Sequence, residues 1–181
     1  MKRLLILTFL ILPLTVSFGQ QRMVARQGQV TFFSYTSVEN IEATNNQAFS
    51  ILDLNTNEIA ISMLMRAFVF KKALMREHFN ESYIESDIYP KASFEGTILD
   101  FNPALDEAQT RIIKGKISLH GVTKEVEIKA TFKSENNLVI MSGSFSMLVA
   151  DYQIKIPPIV AGNIAKSIEV TFNIQYTPYE K

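Results

Sequence analysis

The chain has no cysteine and no tryptophan, only two histidines, and 18 basic residues balanced by 18 acidic ones. Without cysteine there can be no disulfide, no thiolate nucleophile, no thiolate metal site and no lipid attached through a cysteine side chain. His78 stands beside Glu77 and His120 lies far along the chain, so neither has a local metal-ligand partner. Ser62, Ser118, Ser144 and Ser146 lack the Gly-x-Ser-x-Gly frame that sharpens a serine into a nucleophile. Asp100, Asp106 and Glu107 do not reproduce a calcium loop, and Glu77 with Glu81 reads as a solvated helical face. A three-dimensional meeting of a histidine with Glu85 or Asp87 is the one catalytic arrangement left, and the spacing gives it little support. The expected class is therefore non-enzymatic, with no metal and no cofactor. Balanced charge also leaves no basic footprint for nucleic acid.

Long hydrophobic runs are equally scarce. The only one, Leu4–Val16, follows Lys2 and Arg3 and precedes the small residues Ser17-Phe18-Gly19. That order matches a secretory signal, so residues 1–19 are expected to be removed before about Gln20 and residues 20–181 to form one domain, periplasmic or secreted. Loss of Lys2 and Arg3 leaves 16 basic against 18 acidic residues. No later run predicts a stable membrane span after cleavage.

What the chain does have is period-two alternation. Val126, Ile128, Ala130 and Phe132 form an apolar face opposite Glu125, Glu127, Lys129 and Thr131. This marks a strand with one buried and one wet face. The pattern recurs in Gly28–Ser37, Ala48–Leu54, Glu58–Arg66, Lys91–Phe101, Thr110–Leu119, Lys124–Lys133, Leu138–Val149 and Ser167–Tyr176. Asn55-Thr56-Asn57, His120-Gly121 and Asn136-Asn137 supply turn residues between neighbours. Glu39–Asn46 reads as a polar connection, and Tyr152–Lys166, with Pro157-Pro158, as a loop over one end. Phe33 and Tyr35 on the outer face of the first strand suggest that something covers it. Only Lys71–Phe79 changes period: Leu74, Met75, His78 and Phe79 fall at helical spacing on a segment too short to stand alone.

The expected fold is all-β, an eight-stranded antiparallel barrel with one short helix between strands three and four. An even count can close without an edge, and eight strands leave room for one slender ligand. A two-sheet sandwich produces the same alternation. The barrel is preferred because Gly96, Gly115 and Gly143 fall mid-strand on the inward face, where a missing side chain removes filling. Phe32, Met63, Phe94, Ile117, Met141, Phe145 and Phe172 would line what remains, with methionine adapting to an irregular guest. On this reading Gly115 borders a void, and Gly115→Phe would cost little stability.

Two segments carry a family resemblance. Met75-Arg-Glu-His-Phe-Asn-Glu-Ser-Tyr-Ile-Glu-Ser-Asp-Ile-Tyr-Pro-Lys-Ala-Ser-Phe94 is similar to a helix, a loop, a Tyr-Pro pair and a strand ending in Phe. Gly115-Lys-Ile-Ser-Leu-His-Gly-Val-Thr-Lys124 is similar to a Gly-x-Leu-Thr-x-His/Arg-Gly-Val-Thr-Lys hairpin. Both resemble the YceI-like family of exported, lipocalin-like barrels that bind isoprenoid lipids, and with the strand order the likeness spans nearly the whole processed chain. Leu148–Ile154 departs from the family's Arg-x-x-Phe-Gly pattern, which marks a divergent member.

The resemblance implies a non-enzymatic lipid-binding protein whose barrel interior sequesters a polyisoprenoid or a similar long apolar molecule. Arg66, Lys71, Lys72 and Arg76 would then be placed to meet a polar or phosphate headgroup. A possible homodimer is compatible with this reading. The alternative is an exported interaction or structural module with a filled core and no small-molecule ligand, presenting Tyr83, Ile84, Tyr89 and the Pro157-Pro158 loop to a protein partner.

Overall fold

The alternating segments close on themselves. In the computed structural model, which describes residues 22–36, 39–105, 107–156 and 165–179, the chain runs β1 (Arg22–Ser34), β2 (Ile41–Asp53), β3 (Glu58–Leu64), β4 (Val69–Phe70) and α1 (Ala73–His78). It continues through β5 (Lys91–Ile98), β6 (Gln109–Leu119), β7 (Val122–Glu135), β8 (Leu138–Leu148) and β9 (Ser167–Pro178). The expected leader, residues 1–19, and the Pro157-Pro158 loop lie outside the described residues. Each of the eight long strands pairs antiparallel with the next in chain order, and β1 pairs with both β2 and β9, so the barrel has no open edge. The two-residue β4 attaches only to the start of β2, through Ala43 with Phe70 and Thr44 with Val69.

The turns follow from residues that tolerate a left-handed backbone. His120 (φ 51°) and Gly121 (φ 74°) occupy the two central positions between the paired Leu119 and Val122. Asn136 (φ 51°) and Asn137 (φ 62°) do the same between Glu135 and Leu138. Two positive φ values in a two-residue loop match the right-handed twist of the flanking strands. At Asn57 (φ 58°) the β2–β3 turn is held by the Asp53 carboxylate, which accepts the Asn55 and Thr56 amides at 3.0 and 3.4 Å.

The first two strands are longer than the alternation suggests. Glu39–Asn46, expected as a connection, belongs to β2 from Ile41 onward. The inward residues there are Ala43 and a fully buried Asn45, whose amide donates to the Leu64 carbonyl at 2.9 Å and whose side-chain oxygen accepts the Gln47 amide at 2.8 Å. A buried asparagine with both ends satisfied is a legal core residue that breaks an apolar pattern. β1 likewise begins at Arg22, and register shifts flank Gly28, where an added Cβ would press on Ile174 at 3.0 Å. The outer face of β1 is less covered than expected: Phe33 and Tyr35 pack on one another at 4.3 Å, and Tyr35 is 63% exposed.

The helix is shorter than predicted and continues as a single wider turn over Phe79–Tyr83. No residue of α1 is fully buried. Its anchor is Phe79, just past the helix, which stacks on Phe32 (5.4 Å, 19° between planes) and meets Phe68 and Phe70 at 5.7 and 5.0 Å. These four rings pin the helical segment over one end of the barrel.

Candidate binding cavity

The barrel interior is divided along its axis. At the end formed by the β2–β3 and β7–β8 turns, Leu52, Ile98, Phe132 and Tyr176 are essentially inaccessible, and Phe101 packs on Phe132 at 4.8 Å. Tyr176 places its hydroxyl 2.7 Å from Ser50 Oγ, which itself donates to the Ala60 carbonyl at 2.9 Å. Burial drives the Tyr176 pKa well above the ordinary phenol range, against a smaller opposing effect of the Ser50 hydrogen bond, so the hydroxyl stays a neutral donor.

At the other end the same strands surround a cavity of about 530 Å³. Its floor is Ile113, Ile128, Met141 and Ile174, and its wall rises through Phe94, Ile117, Phe145 and Phe172 to Phe32 and Met63 near the rim. Phe68, Phe70, Leu74, Met75 and Phe79 roof it from the helical segment. Leu74 is 59% exposed while also facing the cavity, so the mouth lies beside α1. Polar groups on the wall are few: Glu39, His78 and Tyr83 stand toward the mouth, Ser34 and Ser93 complete the set, and burial raises the Tyr83 pKa above its ordinary value.

Seven of the expected lining residues, Phe32, Met63, Phe94, Ile117, Met141, Phe145 and Phe172, stand on this wall. Gly96, Gly115 and Gly143 do not. Gly96 and Gly115 are cross-strand neighbours, and the Phe94 ring occupies the space where their Cβ atoms would be, 2.9 and 2.8 Å away. Gly143 is the cross-strand partner of Phe172, whose ring comes within 2.7 Å of the missing Cβ. The glycines are not empty positions on the lumen. They recess the wall so that two phenyl rings settle against the backbone instead of projecting across the axis, which keeps the lumen open. Gly115→Phe is correspondingly not a tolerated change: even a Cβ would sit 2.3 Å from the Glu95 carbonyl oxygen.

None of the expected headgroup cations lines the cavity. Arg66 and Arg76 face a separate outer pocket of about 380 Å³ beneath Val69 and Ala73. Arg66 pairs with Asp87 and donates to Ser86 Oγ at 3.3 Å. Lys72 bridges Glu39 at 2.6 Å and Lys71 bridges Glu42 at 3.2 Å. Of the residues proposed as a protein-docking surface, Ile84 is buried, and Tyr83 and Tyr89 are half-buried, Tyr83 against the cavity.

His120, expected as a turn residue, has a side chain only 8% exposed. Its Nδ1 lies 3.0 Å from the Tyr152 carbonyl and its Nε2 2.9 Å from Glu85 Oε2, and its ring packs on Tyr89 at 4.4 Å. A carbonyl only accepts, so the Nδ1–H donates to Tyr152, while Nε2 and the Glu85 carboxylate stand within hydrogen-bond distance. Three segments meet here: the β6–β7 turn, the loop after the helical segment, and the turn Val149–Tyr152 that follows β8. Glu85 adopts φ 48°, a costly conformation for a residue with a Cβ, and the His120 contact helps hold it. Sequence spacing gave little support to this meeting because the partners lie 35 residues apart. Among the described residues no group of three His, Asp or Glu converges as a metal site, and no helix is long and apolar enough to cross a membrane.

The barrel is similar to several solved structures. A polyisoprenoid binding domain from Saccharophagus degradans implicated in plant cell wall breakdown aligns with TM-score 0.76 and 12% identity, covering 88% of this chain and 99% of that one. BcnA of Burkholderia cenocepacia aligns with TM-score 0.71 and 11% identity, over 82% and 95% of the two chains. The YceI protein of Campylobacter jejuni gives 0.65 and 9%, over 81% and 90%. At such identities the likeness carries the fold alone. No curated protein matches the chain. The sequence pattern of the YceI-like domain matches residues 15–176, nearly the whole chain, and the protein belongs to the YceI-like family.

Proposed function

We propose that this chain is an exported, non-enzymatic carrier that sequesters a polyisoprenoid or a similar long apolar molecule in the hollow half of its barrel. The carrying observation is the cavity itself: about 530 Å³, walled by aliphatic, methionine and phenyl side chains. That volume falls within the range of about 300–1,000 Å³ usual for small-molecule sites. Each methylene moved from water into it contributes about 0.8 kcal/mol, so ten supply about 8 kcal/mol against the cost of ordering the chain. Methionines on floor, wall and roof (Met141, Met63, Met75) suit a guest that is apolar but not rigidly shaped. Export is supported by the order of charge, apolar run and small residues in the first nineteen positions.

The test is extraction. Protein purified without detergent is treated with organic solvent, and the extract is analysed by mass spectrometry. A stoichiometric isoprenoid or comparable long-chain lipid is the expected result. An empty protein that also refuses neutral apolar dyes would overturn the carrier reading in favour of an interaction module.

A further inference from the structure

The wall has an imbalance that bears on what the guest's polar end can be. Among the described residues no lysine or arginine lines the cavity, whereas Glu39 does. Lys72 is held by Glu39 at 2.6 Å, Lys71 and Arg66 pair with Glu42 and Asp87, and Arg76 faces the separate outer pocket. Lys155 alternates away from the lumen between the lining residues Ile154 and Ile156. A phosphate monoester would bring a charge of about −1.5 to −2. On this wall it would meet a carboxylate and no cation, and burying an unpaired anion is strongly unfavourable. A hydroxyl, amide or quinone oxygen needs only one or two hydrogen bonds, and the Tyr83 hydroxyl and the His78 ring are on the wall to make them.

We infer that the cavity selects a prenyl-type lipid with an uncharged polar end over its phosphorylated counterpart, and that Glu39, anchored by Lys72, is the residue that sets this preference. The inference rests on the lipid-binding reading and specifies the head that the same site accepts.

The experiment uses the purified, lipid-extracted protein with the neutral dye N-phenyl-1-naphthylamine in the cavity. The dye is displaced by geranylgeraniol or by geranylgeranyl phosphate, which share one tail. The alcohol is expected to displace the dye at a concentration at least about tenfold lower, a gap of about 1.4 kcal/mol. In Glu39→Gln, which removes the repelling charge and releases Lys72, the ratio between the two is expected to fall at least threefold. The ratio is the readout because a general loosening of the mouth would move both affinities together. Equal or tighter binding of the phosphate by the unmodified protein would overturn the selectivity while leaving the carrier reading intact. An unchanged ratio in Glu39→Gln would overturn the role of Glu39. Displacement by neither compound would overturn the carrier reading along with the selectivity.

Discussion

The two halves of the barrel are built from the same strands with the same alternation, yet one is solid and the other hollow. In the solid half Leu52, Ile98, Phe132 and Tyr176 are at most 2% exposed. In the hollow half Met63, Phe145, Met147 and Phe172 also point inward but remain only half-buried, because they face the cavity. Alternation decides which side chains point in. It does not decide whether they meet in the middle. That depends on how rings lie against the wall and on what roofs the end: Phe94 and Phe172 are recessed over glycines, and the four-phenylalanine cluster holds the helical segment across the mouth.

The contrast breaks most directly on a pair of truncations. Phe132→Ala opens a void in a packed region and is expected to cost about 3–5 kcal/mol, the usual range for a buried phenylalanine. Phe145→Ala removes a ring that already has empty space on one side, and less than about 1.5 kcal/mol is expected on the same reasoning. Denaturant unfolding of both variants measures the difference, and equal losses would mean that the lumen is not hollow in solution. Next in size is Gly115→Phe. The backbone oxygen of Glu95 cannot withdraw from the new Cβ without disturbing the β5–β6 ladder, so a loss at or above about 3 kcal/mol, the top of the overpacking range, is expected. Met147→Phe, on the hollow wall, is expected to lose under about 1 kcal/mol while reducing the amount of lipid extracted. If Gly115→Phe were as mild as Met147→Phe, the recessed-ring account of the glycines would be wrong.

The barrel itself was legible because seven of the eight long strands show regular apolar-in, polar-out patterns over most of their length. β2 hid its first half, since its inward Asn45 is polar and is accommodated by hydrogen bonds to the Leu64 carbonyl and the Gln47 amide. The aromatic and methionine wall was readable as inward-facing residues. The mid-strand glycines were visible too, but their use was not: whether a glycine leaves a hole or seats a ring depends on its cross-strand neighbour. The headgroup cations misled for a related reason, since a run of positive charges near a helix says nothing of the carboxylates that Glu39, Glu42 and Asp87 bring from other segments. The roof was out of reach for the same cause. Phe68, Phe70 and Phe79 become a lid only once β4 and α1 have folded over Phe32.

A smaller effect separates the roof from the barrel. His120→Ala leaves the Tyr152 carbonyl and the Glu85 carboxylate without their shared partner, and about 1–3 kcal/mol is expected to be lost. The damage should concentrate at the mouth, so limited proteolysis is expected to cut within residues 73–89 before the strands. His120→Asn keeps a residue that tolerates the left-handed turn but cannot bridge both partners. If His120→Asn behaved like the unmodified protein and only His120→Ala were impaired, the histidine would matter for its turn and not for the clamp.

The smallest expected effect lies at the solid end and depends on acid. Burial works to raise the Asp53 pKa, but the Asn55 amide, the Arg22 guanidinium and the Thr56 amide together outweigh it and hold the carboxyl below its ordinary value. A lowered folded-state pKa means that the carboxylate stabilises the β2–β3 turn fully above the unfolded value of about 3.9, and that this contribution fades as pH falls through the folded value. Arg22 is half exposed, so the pair is screened and under about 1 kcal/mol is expected from it at neutral pH. Asp53→Asn should therefore be slightly less stable than the unmodified protein at pH 7, and the two unfolding curves should converge as pH drops below about 4. Lipid capacity should not change, because Asp53 sits at the solid end, away from the cavity wall. A gap that widened in acid would reverse the sign of the linkage and show that the turn is held by something other than the ionised carboxylate.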